Sequence, residues 1–330
     1  MKWKSILVFG VLASVLFACR EVSAGEPAHY LPGIFPIRFV AIPPPGPYYL
    51  QFNFDYHIDE SGKASKVLTI PGVEPPVELN VSAGVDVDHD TIVVAPTGIW
   101  ITPLKLLQAD YGIAFMLPLT YVDTDLEGSL KVEGVRSERS VSREFELDDS
   151  QFNLGDVFFA PFLAGWHWPR FDLMALYGFY APTGKHNSSD IDNTGLGFFE
   201  HQFQVGGIGY LDEEKSLGLQ VLGTYELNHE KIDEDVTVGD YVTLEYGVSK
   251  IFNGVFEVGL RGYSMWQVQD DSGSDLILDS PKTQAHGIGG QISYTIPKWK
   301  LNVGLTYMQD IDNTGRPEAE LGLLTFTKWF

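Results

Sequence analysis

The chain has 330 residues, with 44 acidic against 22 basic side chains and a formal net charge of −22. This balance excludes nucleic acid as a partner, because its phosphates would be repelled. After the first residues, no uninterrupted apolar run reaches the roughly eighteen residues of a membrane helix. Hydrophobic residues nevertheless make up 44% of the chain and aromatic residues 13%.

The first 24 residues have the order of an export signal. A basic start (1–4) is followed by an apolar run (5–19) and by small residues (22–24) ahead of Gly25. We therefore predict a signal peptide at 1–24, which is cleaved and takes the only cysteine with it. A lipoprotein cut at Cys19 fits less well, because Phe17 is bulky.

Residues 25–46 form a segment rich in proline, including Pro32, Pro36, Pro43 and Pro44. Proline at this density forbids a helix and favours extended backbone. Two interpretations stay open: a plain linker, or a segment that folds into the mouth of the domain formed by 47–330.

From Pro47 apolar residues alternate with mostly polar ones over ten residues, which is the length and pattern of a tilted transmembrane strand. Similar segments recur along the chain, and their number is even, at about twelve. The predicted strands are 47–58, 91–101, 105–118, 153–165, 169–181, 198–210, 215–228, 236–249, 254–267, 283–296, 299–309 and 319–330.

Short and long connections take turns between these strands. The short ones are 102–104, 166–168, 211–214, 250–253 and 297–298. The long ones, rich in acid, are 59–90, 119–152, 182–197, 229–235, 268–282 and 310–318. This asymmetry is typical of outer-membrane barrels, with short turns on the periplasmic side and long loops outside. We therefore predict an all-β fold, a transmembrane antiparallel β-barrel; a soluble sandwich gives no reason for the alternation.

The last strand, 319–330, ends in Phe330 and resembles the closing strand of bacterial outer-membrane barrels, although Lys328 departs from that pattern. The resemblance implies recognition by the barrel-assembly machinery. We expect this strand to pair with 47–58, which would remove the open edge of the sheet.

Ionisable residues collect on the predicted inner face of the barrel. They either select solutes electrostatically or form pairs that fill and stabilise the lumen. The candidates are Asp55, Asp110, Asp156, Asp172, Glu200, Glu226, Glu245, Glu257 and Arg261, the last a partner for one of these acids.

A hydrophobic track through the barrel would need apolar residues on the inner face. An error of one residue in the strand register would turn each of these residues outward. The candidates are Tyr49, Phe158, Phe162, Met174, Leu222 and Met308.

The sequence predicts no enzyme, cofactor or metal site. Neither a phosphate-binding loop nor a Gly-x-Ser-x-Gly or His-Glu-x-x-His motif is present. An enzyme acting on lipids could still assemble a Ser and His site from separate strands, with His201 or His286 as the base. A plugged structural barrel without transport is the other alternative.

Several motifs resemble those of one family, and they extend over almost the whole of 25–330. They are Tyr30-Leu-Pro-Gly33, Asn153-Leu-Gly-Asp156, Pro161-Phe-Leu-Ala-Gly-Trp-His-Trp168, Tyr210-Leu-Asp-Glu213 and Gly223-Thr-Tyr-Glu-Leu-Asn228. The chain is similar to outer-membrane proteins of the meta-pathway of phenol degradation family, predicted transporters of aromatic or other hydrophobic compounds. The resemblance implies passive uptake of such small molecules across the bacterial outer membrane, with outer-membrane lipid and lipopolysaccharide as neighbours.

Overall fold

The computed structural model describes residues 27–70, 77–135, 140–188, 190–276 and 281–330. The predicted signal peptide, 1–24, lies outside the described residues. Within these ranges the structure has fourteen strands and two short 3-10 helices, Ile37–Val40 and Pro297–Trp299. The strands are β1 (Gly46–Ile70), β2 (Val77–Leu106), β3 (Ala109–Met116), β4 (Leu119–Gly134), β5 (Ser140–Leu154), β6 (Val157–Trp168), β7 (Phe171–Ala181), β8 (Glu200–Tyr210), β9 (Leu217–Asn228), β10 (Tyr241–Phe252), β11 (Phe256–Gln267), β12 (Gln284–Ile296), β13 (Leu301–Thr314) and β14 (Ala319–Trp329).

All the strands except β4 and β5 form a closed antiparallel barrel of twelve. Neighbours follow chain order, and β1 pairs with both β2 and β14. The pairing of β1 with β14 runs from Tyr48 opposite Trp329 to Ile58 opposite Ala319. The predicted barrel and its predicted closure are thus confirmed. In the described part of the chain, no helix is long and apolar enough to cross a membrane.

The expectation that 59–90 and 119–152 are loops is wrong. β1 continues to Ile70, β2 starts at Val77, and β4 and β5 pair with each other beside β2. The resulting four-stranded extension is called the blade (59–70, 77–94, 119–134 and 140–154). Most of the acids that suggested loops lie on one face of this sheet, because acidic and apolar residues alternate along the strands; Asp149 lies on the other face.

One row of the blade places acids opposite each other on all four strands: Asp59, Asp88, Asp125 and Asp148. Like charges in direct cross-strand pairs repel. Desolvation and the nearby Asp148 accordingly raise the pKa of Asp125. β5 pairs with β4 alone among the described strands, so its other edge is open.

The blade and the long connections lie at one end of the barrel, the loop end, and the short turns at the other, the turn end. The first turn falls at Leu107 and Gln108 rather than at the predicted 102–104, because a bulge between Ile101 and Lys105 lengthens β2. Both turn residues have positive φ, 50° and 68°.

Large apolar side chains cover the outward face of the barrel. Val205, Val221 and Leu260 are each more than half exposed, whereas the inward positions beside them are buried. The tryptophans Trp100, Trp168 and Trp299 are exposed near the turn end. An apolar belt with an aromatic girdle is the surface that a bilayer solvates.

Residues 27–45, called the plug, run through the barrel lumen from the loop end to the turn end, where β1 begins. Ile37 and Val40 of the plug are fully buried against the wall. Gly165 of β6 makes room for Ile42, since a Cβ there would come within 2.6 Å of the Ile42 Cβ. Of the two interpretations of 25–46, the linker is wrong for 27–45, which fold into the barrel.

Candidate functional site

Carboxylates on three consecutive strands hold the backbone of the plug. The Glu200 Oε2 of β8 accepts from the His29 amide at 3.0 Å, and the Glu226 Oε1 of β9 accepts from the Tyr30 amide at 2.9 Å. The Glu245 Oε1 of β10 accepts from the Gly33 amide at 2.9 Å. These amides have no strand partner, and a buried amide without an acceptor is costly. The carboxylates of the wall therefore take the place of the carbonyl acceptors that a neighbouring strand would provide.

The ring of His29 lies between two carboxylates. Its Nδ1 is 2.8 Å from Glu200 Oε2 and its Nε2 is 2.9 Å from Asp156 Oδ2, while the ring stacks on Tyr180 at 4.6 Å. Ionised carboxylates only accept hydrogen bonds, so both ring nitrogens carry a proton and the ring is cationic. This His29 latch fixes the plug at the loop end.

Arg38 fixes the plug at the turn end. Its Nε donates to Glu257 Oε1 at 2.9 Å, and its two terminal nitrogens donate to the backbone oxygens of Lys215 and Ser216 at 2.9 and 2.8 Å. The planar guanidinium fits several acceptors at once, which a lysine could not do. The segment between the two anchors is thereby held along the length of the lumen.

The turn that receives Arg38 is itself organised by an acid. Asp212 accepts hydrogen bonds from the backbone of Ser216 and Leu217 at 2.7 and 3.0 Å, and it pairs with Lys250 at 3.0 Å. The hydrogen bond from the Ser216 hydroxyl, followed by that from the Leu217 amide, holds the pKa of Asp212 well below its usual range.

A cavity of 460 Å³ remains at the loop end, between plug residues 27–34 and the inner faces of β1 to β4. Residues 193–196 and 316–317 form part of its wall. Most of the lining is apolar or aromatic, including Tyr30, Ile34, Phe54, Tyr56, Val93 and Met116. A few polar groups, His89, Asp156 and Arg316, interrupt it. A mainly apolar concavity with a few polar groups is the usual form of a small-molecule site.

Eight of the nine ionisable candidates lie inside the barrel. Asp156, Glu200, Glu226, Glu245 and Glu257 contact the plug, and Arg261 pairs with Glu245 at 3.1 Å. Asp110 and Asp172 meet at the turn end around His167, at 3.3 and 3.0 Å. The acids of the described lumen are thus in pairs and hydrogen bonds with the wall or the plug.

The prediction that Asp55 and Tyr49 face the lumen is wrong. Both lie on the outward face of β1 with Gln51 and Asn53, while Leu50 and Phe52 point inward and are buried. The apolar face of β1 packs on the plug, so the assumption that the apolar face meets lipid fails for this strand. Phe162 is also outward, beside Tyr111 and opposite Tyr177, because a bulge between Phe159 and Phe162 shifts the register of β6.

The other four track candidates are inward but do not line the cavity. Phe158, Met174 and Leu222 pack with the plug in one core cluster, and Met308 belongs to another. Asp156, Glu200 and Glu257 were predicted as lumen residues, but most residues of the cavity and the plug side of both anchors went unpredicted. His29, Tyr30 and Arg38 lie in a proline-rich segment, and Phe54 and Tyr56 were assigned to the outward face. The one signal in the sequence was the continuous apolar face of β1.

The two histidines weighed as catalytic bases lie on the barrel wall. His201 Nδ1 is 3.0 Å from the Tyr177 hydroxyl, whereas His286 Nδ1 is 2.8 Å from Ser264 Oγ. Two groups of side chains in the described chain also have the spacing of metal ligands, both near the loop end. They are His57, Asp88 and Asp90, and His186, Asp233 and Glu234.

An apolar outward face, an aromatic girdle, a polar lumen and unequal ends define an integral β-barrel protein of the bacterial outer membrane. The turn end is therefore periplasmic and the loop end faces outward. The chain belongs to the family described as "Putative MetA-pathway of phenol degradation", whose model matches residues 75–326. The predicted membership is confirmed.

The chain is similar to three solved structures, and the first of them shares its fold. The COG4313 outer membrane channel from Pseudomonas putida F1 has a TM-score of 0.57 and 12% identity, and the match covers 90% of this chain and 100% of that one. A FadL homologue of Pseudomonas aeruginosa has a TM-score of 0.41 and 9% identity, covering 94% and 96%. The CymD monoaromatic hydrocarbon channel has a TM-score of 0.41 and 8% identity, and the match covers 87% of this chain and 89% of that one. No curated protein sequence matches the chain.

Proposed function

We propose that this protein is an outer-membrane channel for passive uptake of small hydrophobic or aromatic molecules, and that it catalyses no reaction. The cavity at the outer end carries this proposal. An apolar cavity of about 150 Å³ is enough to bind benzene, so 460 Å³ holds a substituted aromatic molecule. The description of the family and the name of the COG4313 channel support the same role.

The plug gives the proposed uptake two stages. A molecule enters from the outside and exchanges water for the apolar wall, which is favourable in proportion to the area buried. Its release toward the cell requires the plug to move, because the periplasmic half of the lumen is filled by side chains such as Val40, Ile42 and Met174. Transport is then binding-assisted diffusion, limited by plug motion.

A matched pair of substitutions tests the cavity. Ala95 lines it and Ala160 lies in the filled half, and both are buried. Ala95→Phe should abolish binding of aromatic molecules and, because Ala95 belongs to a buried apolar cluster, should cost about 1–3 kcal/mol of stability. Ala160→Phe should cost about the same, because it also overpacks a filled region, but should leave binding intact. Calorimetric titration of the purified protein with a panel of aromatic compounds, together with thermal unfolding, measures both effects.

Uptake itself is tested in cells. A deletion strain should take up one or more aromatic compounds of a broad panel more slowly, and the wild-type gene should restore the rate where Ala95→Phe does not. A deletion strain with the wild-type rate on every compound would contradict the proposal. Absence of both binding and single-channel conductance would favour the plugged structural barrel instead.

One observation favours the lipid-hydrolase alternative. Ser264, His286 and Asp312 are cross-strand neighbours on β11, β12 and β13, and the serine and the histidine are within hydrogen-bond distance. A hydroxyl beside an imidazole is the minimum of a Ser–His nucleophile. Release of fatty acid from phospholipid vesicles by the purified protein, lost in Ser264→Ala, would establish this activity. No release would support a channel without catalysis.

We further propose that residues 1–24 are a cleaved signal and that β14, with Phe330, directs assembly into membrane beside lipopolysaccharide. Phe330 is 68% exposed and lies 5.8 Å from the Lys328 ammonium, where both reach the bilayer boundary. N-terminal sequencing of the outer-membrane protein tests the cut. Phe330→Ala should slow assembly and leave unfolded protein in the periplasm.

A further inference from the structure

Two carboxyl groups meet behind the plug with oxygens to spare. Glu200 and Glu226 are fully buried on neighbouring strands, and one oxygen of each holds His29 or Tyr30. The other two oxygens, Glu200 Oε1 and Glu226 Oε2, have no hydrogen-bond donor. Glu200 and Glu226 are diagonal neighbours on the inner face of the β8–β9 pair, because Glu200 is opposite Asn228 and Gln202 is opposite Glu226. Two ionised carboxylates side by side repel each other unless a proton or a cation compensates their charge.

Further buried oxygens without a donor lie on the same inner face of β8 and β10. They are Gln202 Oε1, Gln204 Oε1 and Thr243 Oγ1, on residues no more than 1% exposed. Gln202 is directly opposite Glu226 across the β8–β9 pair, which puts their side chains on one face about 5 Å apart at Cβ. Buried polar atoms are normally satisfied, so a concentration of unsatisfied oxygens needs a physical reason.

The net charge around the plug also indicates a bound cation. Four buried carboxylates, Asp156, Glu200, Glu226 and Glu245, face two cations, His29 and Arg261. Four negative charges less two positive ones leave an excess of two. Burying unpaired charge is far more costly than burying a balanced pair. A positive ion among these oxygens would remove the excess.

We propose that Glu200, Glu226 and Gln202 form a binding site for a hard cation of the Ca²⁺ class, between the plug and the barrel wall. Carboxylate and amide oxygens are the ligands that Ca²⁺ prefers. A shared proton would join the two carboxyl groups but leave the amide oxygen of Gln202 without a partner, whereas an ion could be coordinated by all three side chains. The site goes beyond the proposed uptake function and does not depend on it.

The proposed ion would lock the plug in place. The same two carboxylates that coordinate it also hold His29 and the Tyr30 amide through their other oxygens. Removing the ion would bring two uncompensated charges together beneath these contacts. We therefore expect the plug segment 27–34 to loosen when the ion is withdrawn.

Terbium luminescence tests the site in the purified protein. Tb³⁺ takes the place of Ca²⁺, and the rings of Tyr30 and Tyr241 next to Glu226 would excite it. After treatment with EGTA, the wild-type protein should give saturable Tb³⁺ emission on excitation of tyrosine, and Ca²⁺ should displace it. Ca²⁺ should also raise the melting temperature. A wild-type protein without saturable emission, or one stabilised by acid but not by Ca²⁺, would overturn the proposal.

Matched variants assign the emission to these residues. Glu226→Gln keeps the shape and removes one charge, and should lower the Tb³⁺ affinity on the order of a hundredfold. Glu146→Gln removes an exposed blade acid outside the two groups that have the spacing of metal ligands, and should leave the emission unchanged. Gln202→Leu serves if Glu226→Gln does not fold. Equal affinity in wild type, Glu226→Gln and Gln202→Leu would contradict the site, and the wild-type titration stands independently of any variant.

Discussion

The lumen and the blade are both rich in acidic residues, but the acids have different partners in the two regions. In the lumen, Glu257 faces Arg38, and Glu245 faces Arg261. On the blade, Asp88 and Asp125 face each other across two strands. Burial makes an unpaired charge expensive, whereas water screens a charge on an exposed sheet. An acidic residue therefore anchors the plug in the lumen, whereas on the blade it has only a small effect on the stability of the sheet.

Breaking the Arg38 anchor should have the largest effect. Arg38→Met leaves Glu257 without its cation, and removal of one partner from a buried pair typically costs about 3–5 kcal/mol. Unfolding in urea, followed by the heat-dependent gel shift of the barrel, measures the loss. The double variant Arg38→Met/Glu257→Met should recover most of it. A double variant as unstable as the single one would show that packing, not charge, holds this end of the plug.

Breaking the His29 latch should have a smaller effect, confined to the outer end. His29→Gln still donates to one carboxylate, so we expect a cost of about 2 kcal/mol, the value of one hydrogen bond to a charged group. Faster amide exchange of residues 27–34 than of 35–42 would show local release. Uniform exchange along the plug would contradict two independent anchors.

Removing a blade acid should act in the reverse direction. Asp125→Asn relieves the repulsion from Asp88 and Asp148, and should stabilise the β4–β5 pair by about 0.5 kcal/mol. Amide exchange in β5 is the measurement. Ser129→Asn, on the same face of β4, is the control and should leave exchange unchanged. Slower exchange in both variants would remove charge repulsion as the cause.

Acidification should produce the smallest change, again on the blade. The pKa of Asp125 is raised in the folded protein, so the folded state takes up a proton more readily than the unfolded one. Stability of the blade therefore rises as the pH falls through that raised pKa, and is lost as the pH returns to neutral. Exchange rates in β5, corrected for the intrinsic pH dependence, should fall in wild type and fall less in Asp125→Asn, where Glu127 and Glu146 still face each other.

The barrel could be predicted from the sequence because two-residue alternation, turn spacing and the closing strand are local patterns. The direction in which each strand faces depends on what packs against it. β1 has apolar residues at Leu50, Phe52 and Phe54, and without the plug this face belongs to lipid. Nothing local shows that residues 27–45 return to cover it.

The site was out of reach for the same reason. The acids at Glu200, Glu226 and Glu245 could be placed inside the barrel, since each sits at a polar position of an alternating strand. Their partners are residues more than 170 positions away, in a segment whose prolines indicate only extended backbone. The bulge beside Phe162 shifts the register of β6 by one residue, which the alternation pattern did not show. The strands of the blade were missed because their acid content is typical of loops.

The open edge of β5 leaves unpaired amides and carbonyls along fifteen residues at the cell surface. An edge of this length is a template on which another chain can add a strand and start an aggregate. Its charged side chains, Arg143, Glu144, Glu146, Asp148 and Asp149, discourage this, since a second copy would bring mostly like charges together. The acids that weaken pairing within the blade thus help to keep neighbouring molecules separate in a crowded membrane.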